Sequence, residues 1–249
     1  RRGERIIMGE CVNLRKKYMT VTAVEDISLN IQAGKMYALL GPNGSGKTTL
    51  IKLLAGLLMP NEGEVLICGK EPGAETKAVV SYLPERTYFR SSMRVKELIE
   101  YFQDFYADFR PERARELLGN LKIDENASLK TLSKGTKEKV QLIMVMSREA
   151  RLYLLDEPIA GVDPAARDYI LRTIISNYNE DATVILSTHL ISDIEQILDE
   201  VIFIKAGRIL LQDSVENIRE QQGKSVDAYF RDCLLYTSDA ADDMQCVDL

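Results

Sequence analysis

Gly41-Pro42-Asn43-Gly44-Ser45-Gly46-Lys47-Thr48-Thr49 decides the fold, because it fits G-x-x-x-x-G-K-[ST] directly after the apolar run Met36 to Leu40. Its glycines let the backbone curl so that successive N–H groups point inward, and a helix starting near Gly46 adds its positive end, which together make a polyphosphate cradle. Lys47 is placed to reach the β- and γ-phosphates of a nucleotide, and the Thr48 hydroxyl to hold Mg²⁺. Leu50, Leu53, Leu54 and Leu57 recur at helical spacing just downstream, supplying the strand–loop–helix context that the motif needs.

The loop alone does not distinguish one phosphate-binding machine from another. Leu152-Tyr153-Leu154-Leu155-Asp156-Glu157 is an apolar strand ending in two carboxylates, which places Asp156 near a metal and Glu157 near an attacking water. Ahead of it, Leu132-Ser133-Lys134-Gly135-Thr136 opens a helix through Val140, Ile143, Met144 and Ser147, so that Ser133 and Gly135 sit at a second helix N-terminus. Behind it come Ala160-Gly161-Val162-Asp163 and then His189, the single histidine of the chain, just past the strand Thr183 to Leu186.

Taken in this order, the segments resemble the ATP-binding cassette (ABC) family: Walker A, signature, Walker B, D-loop and H-loop. The resemblance runs from about Met8 to Asp232 and implies an α/β fold. That fold is a P-loop NTPase (RecA-like) core with an antiparallel β subdomain and a helical signature subdomain at about 86–148. It implies ATP and Mg²⁺ as ligands. Tyr18 would stack on adenine; Gly41, Pro42, Asn43, Gly44, Ser45, Gly46, Lys47, Thr48 and Thr49 would cradle phosphate. Ser133, Gly135 and Asp163 would complete the nucleotide site. Thr48, Glu85 and Asp156 would serve the metal, with Glu157 and His189 catalytic.

Two departures from the family pattern bear on subgroup. In Ser81-Tyr82-Leu83-Pro84-Glu85 a carboxylate stands where the family usually has glutamine, keeping an oxygen for the metal but adding charge. In the signature, Lys134 and Thr136 replace the usual glycine and glutamine, while Ser133 and Gly135 remain. A YLPE loop with an LSKG signature resembles a bacterial exporter-like subgroup. The expected function is the ATP-hydrolysing subunit of such a transporter, acting as a homodimer or with a paired ABC subunit on integral membrane permease subunits at the cytoplasmic face of the cell membrane.

Rival classes are less favoured. A soluble ABC ATPase acting on the ribosome carries two cassettes, and one acting on DNA inserts a long coiled coil between Walker A and signature; this chain has one cassette and no room for that insert. A P-loop GTPase is disfavoured by the absence of N-K-x-D, and a kinase, like a GTPase, would leave the signature unexplained. The net charge of −6 and pI near 5.1, with no basic run, argue against direct nucleic-acid binding. No apolar stretch reaches membrane-spanning length. The four cysteines, Cys11, Cys68, Cys233 and Cys246, lack metal spacing and read as free thiols.

Both ends are expected to be foreign to the domain. Residues 1–7 read as an upstream or non-native extension, and 233–249 resemble translated sequencing-adapter read-through, leaving 8–232 as the ATP-binding domain. Between Pro84 and Leu132 the pattern predicts a mostly helical insert. Leu98, Tyr101, Phe102, Phe105, Tyr106 and Phe109 recur there at three- and four-residue spacing, as one helix face that serves as subdomain core or lines a groove for a membrane-subunit helix.

Overall fold

The computed structural model describes residues 6–159, 164–177 and 181–243. Two sheets organise it. The first is antiparallel, in the order β2 (Val21–Gln32), β1 (Ile7–Tyr18), β4 (Glu62–Ile67). In β2, Val24, Ile27, Leu29 and Ile31 turn inward while their neighbours face outward, as a strand covered on one side requires. β1 starts at Ile7, within the expected extension, and the Ile6 carbonyl accepts from the Ala33 N–H at 2.8 Å.

The second sheet has six strands: β5 (Val80–Leu83), β6 (Leu152–Leu155), β7 (Thr183–Thr188), β3 (Met36–Leu40), β8 (Glu200–Lys205) and β9 (Arg208–Ser214). All its pairings are parallel except the β8–β9 hairpin. β3, β6 and β7 are buried at every residue, the signature of strands covered on both faces. Helix α1 (Lys47–Leu54) and the antiparallel sheet cover one face, burying Leu50, Ile51, Leu53 and Leu54. Helices α6 (Pro164–Asn177), α7 (Val215–Gln222) and α8 (Val226–Asp243) contribute to the apolar cluster on the other.

A short helix, α2 (Ala74–Val79), leads into β5. The insert that follows forms α3 (Val95–Phe105) and α4 (Pro111–Asn120), then α5 (Lys134–Met146). Together they enclose a separate core of Val95, Leu98, Phe102, Phe109, Leu118 and Ile143 among others. The six-residue pattern of Leu98 and five aromatic residues does not form a single face. α3 stops at Phe105, Phe109 folds back into the core from the following turn, and Tyr101 and Phe105 point outward at 43% and 67% exposure. α8 continues past Cys233, the first residue of the expected tail, and Cys233 and Leu234 pack against the main core.

Candidate functional site

Four adjacent strands, β5, β6, β7 and β3, deliver Glu85, the paired acids, His189 and the glycine loop from their carboxyl ends, the usual location of a site in a parallel α/β sheet. β3 leads into the glycine loop. There a Cβ at Gly41 would stand 2.3 Å from the Ile204 carbonyl and 2.5 Å from Ser45 Oγ, so only glycine fits. Gly46 has φ +107 and a Cβ there would meet the Ala23 carbonyl at 2.3 Å. The β8–β9 turn holds the loop from behind, the Gly207 N–H donating to the Ser45 carbonyl at 2.9 Å. Gly41 and Ser45 are buried, whereas Pro42, Asn43 and Gly44 are open to solvent and Thr48 and Thr49 half-buried.

Lys47, at the first turn of α1, is 6% exposed and turns back over the loop. Its ammonium donates to the carbonyls of Gly41 at 2.8 Å and Pro42 at 3.2 Å and lies 3.4 Å from Glu157 Oε1. The second Glu157 oxygen is 3.1 Å from His189 Nδ1, at the end of β7. A lysine, a carboxylate and an imidazole from three strand ends therefore form one chain of contacts. Glu157 itself has φ +48, a left-handed conformation that costs a non-glycine residue of order 1 kcal/mol and aims its carboxylate at both partners.

Asp156 lies beneath them, 1% exposed. One of its oxygens accepts from Thr48 Oγ1 at 3.1 Å and Ser187 Oγ at 2.8 Å; the other is buried and has no partner in the protein. Burial pushes its pKa up; the hydroxyls of Ser187 and Thr48 hold it back, and the charges of Glu85 and Glu157 push it further. Ser187, which the sequence reading did not single out, binds both carboxylate residues, since its oxygen also accepts the Glu157 N–H at 2.8 Å. The available signal was a pair of polar residues, Ser187 and Thr188, closing a buried strand whose centre, Val184-Ile185-Leu186, is apolar.

Glu85 follows β5 and lines a small crevice with Pro84, Glu138, Gln141, Asp156 and Glu157. Asp156, with an orphaned buried oxygen and a hydroxyl beside it, suits a hard cation that takes its remaining ligands from phosphate and water, as Mg²⁺ does. Among the described residues no group of three or more His, Cys, Asp or Glu side chains forms a metal cage. Ser133 and Gly135 are exposed at the head of α5, where Ser133 Oγ accepts the Thr136 N–H at 3.2 Å. Tyr18 ends β1 at 41% exposure with the Lys16 ammonium 5.5 Å from its ring. Asp163 lies outside the described residues.

The layout of a phosphate loop on β3 and paired acids after β6, in a sheet flanked by an antiparallel sheet and a helical insert, is that of a P-loop NTPase. Residues 24–160 match the family model described as ABC transporter. The chain is 32% identical over 84% of its length to the SkfA peptide export ATP-binding protein SkfE of Bacillus subtilis, covering 90% of that protein. It is 31% identical over 80% of its length to an uncharacterised ABC transporter ATP-binding protein of Synechocystis, of which it spans only 58%. A solved ATP-binding subunit of an ABC transporter superposes with a TM-score of 0.82 at 28% identity, covering 91% of this chain and 99% of that one. The chain belongs to the ABC transporter family, as an ATP-binding subunit.

Proposed function

We propose that this chain hydrolyses ATP to ADP and phosphate at a site shared between two cassettes, and that the cycle of closure and reopening drives export through separate membrane subunits. The observation that carries the reading is the Lys47–Glu157–His189 chain of contacts above Asp156. Lys47 and the loop N–H groups bind the β- and γ-phosphates. Thr48, Asp156 and Glu85 hold Mg²⁺, which when bound draws charge from the phosphate oxygens. Glu157 polarises the attacking water and His189 donates to the γ-phosphate, positions consistent with their contact at 3.1 Å. Tyr18 offers an exposed ring to adenine.

Support for a shared site comes from the signature. A Cβ at Gly135 would meet nothing within 4 Å, so packing inside the chain does not demand glycine there. A bare backbone at an exposed helix N-terminus suits a phosphate arriving on another subunit. Export is supported by the peptide-export name of SkfE. A groove of about 430 Å³, lined by Leu57, Tyr82, Pro84, Tyr88 and Tyr106 among others, continues toward Tyr101 and suits a short helix from a membrane subunit. Attachment to the cytoplasmic face through that partner belongs to the same reading; no helix among the described residues is long and apolar enough to cross a membrane.

Mixing two inactive variants tests the shared site. Lys47→Ala spoils the loop and Ser133→Arg the signature, so each homodimer has two defective sites, whereas a mixed dimer has one sound site and one doubly broken one. In a Glu157→Gln background the mixture should occlude ATP at up to about half the stoichiometry of the parent pair. Occlusion no greater than that of either variant alone, with mixed dimers demonstrated, would refute the arrangement.

A further inference from the structure

β5 leads into Glu85, and Ser133 caps α5; the two elements are joined by more than apolar packing. Three rungs run between them. Gln141 Nε2 donates to the Pro84 carbonyl at 3.3 Å. Ser81 Oγ donates to the Val145 carbonyl at 2.9 Å. Arg148, just past the end of α5, donates to the Val80 carbonyl at 2.6 Å and the Ala78 carbonyl at 2.8 Å. Positions 141, 145 and 148 recur at helical spacing along α5 and just past its end, and their partners run backwards from Pro84 through β5 to Ala78 in α2, so helix and strand run antiparallel. Gln141, Ser81 and Arg148 are each no more than 2% exposed.

Apolar contacts such as those of Leu83, Leu142 and Val145 are non-directional and tolerate a shift of an ångström, whereas a buried hydrogen bond lost by sliding leaves two polar groups unsatisfied. Arg148 also reaches the far side of the insert. Its guanidinium takes both oxygens of Asp108 at 2.9 and 3.1 Å and lies 3.8 Å from the Tyr106 ring, which lines the groove. β5 is an edge strand whose flanking Val79 and Leu83 carbonyls accept from the β6 side, so Arg148 satisfies a Val80 carbonyl that faces away from β6.

We propose that Gln141, Ser81 and Arg148 are positioning residues that lock the register of α5 on β5, so that Ser133 and the Glu85 segment move as one body when the groove is displaced. This rests on the reading of Ser133 as part of a shared site. Glu85 answers to the nucleotide in its own subunit and Ser133 to the nucleotide of the other; the seam holds those two responses at a fixed spacing. Without it, each could move while the other stayed.

The test is turnover set against nucleotide affinity. In the full chain, Gln141→Met and Ser81→Ala together remove two rungs while keeping volume close; Ile143→Val trims the opposite face of α5 as a control for lost packing. Ser133→Arg is measured alongside. The expected result is a kcat at least about tenfold lower for the two-rung variant, the effect of losing roughly one hydrogen bond's worth of positioning. The affinity of single chains for a fluorescent ADP should stay within about twofold of the parent. Arg148→Lys, which keeps charge but loses the fork, should fall between. If Ser133→Arg abolishes turnover while the two-rung variant matches Ile143→Val, the seam proposal is overturned and the shared site stands. If Ser133→Arg retains full turnover, the shared site is overturned and the seam has nothing to position.

Discussion

At the scale of single residues, the two adjacent carboxylates are set apart by environment. Glu157 is held by Lys47 and His189, and its substitution by glutamine keeps the hydrogen bonds while removing the charge that polarises water. Hydrolysis should drop about a hundredfold or more with nucleotide binding retained, as measured by phosphate release and by ADP titration; turnover near the parent rate would remove Glu157 from this role. Asp156 makes the opposite kind of prediction. Because burial raises its pKa above the ordinary aspartate value of 3.8, the native state holds its proton to higher pH than the unfolded chain, so ionisation opposes folding. That penalty is absent below pH 3.8 and grows as pH rises through the native pKa. In buffer free of nucleotide and metal, Asp156→Asn should melt higher than the parent at pH 7, and the gap should close as pH falls toward 3.8. A lower melting temperature at pH 7 would show that the Ser187 and Thr48 hydrogen bonds outweigh burial.

Helix α3 shows how an element divides labour. Phe102 is buried, with ring centroids 5.5 Å from both Tyr106 and Phe109, so Phe102→Ala should cost about 3–5 kcal/mol and speed hydrogen exchange in the helical insert before the central strands. Tyr101→Ala, on the exposed side, should change stability by no more than about 0.5 kcal/mol, measured by the same denaturant titration. Helical spacing placed both rings, together with Phe105, Tyr106 and Phe109, on one face. The division between them was not readable, because it depends on where α3 ends. That end is set by Tyr106 turning extended and by the Glu149 N–H reaching the Asp108 carbonyl at 2.9 Å, a contact 41 positions apart in the chain. Strands β5 and β9 are not legible from sequence for related reasons. β5 is four residues with a serine and a tyrosine, and β9 is half-exposed, so neither shows an uninterrupted apolar run. The motif-bearing strand β3 was bounded to the residue because its burial is uniform and its loop is unmistakable. Ser187 stayed hidden since nothing in a sequence says which of two hydroxyls turns toward the carboxylates.

For the whole molecule, the carboxyl-terminal helix closes the main core. Phe230 packs edge-on to Phe203 at 5.0 Å, and the Lys205 ammonium reaches the Leu234 carbonyl at 3.1 Å. Removing 233–249 takes away the packing of Cys233 and Leu234, worth about 1–2 kcal/mol, and should lower the melting temperature by roughly 2–8 °C; an unchanged transition would mean that those contacts contribute nothing. The order of strands in the six-stranded sheet reaches further. β3, which ends in the phosphate loop, lies between β7 and β8, with Leu40 level with Thr188 on one side and Phe203 on the other. A ribosome adding about 5–20 residues per second needs on the order of ten seconds after making the loop to deliver both neighbours. For most of that interval the loop has neither flanking strand and no Ser187, so the site described above is completed only late in synthesis, after the helical insert has already been made.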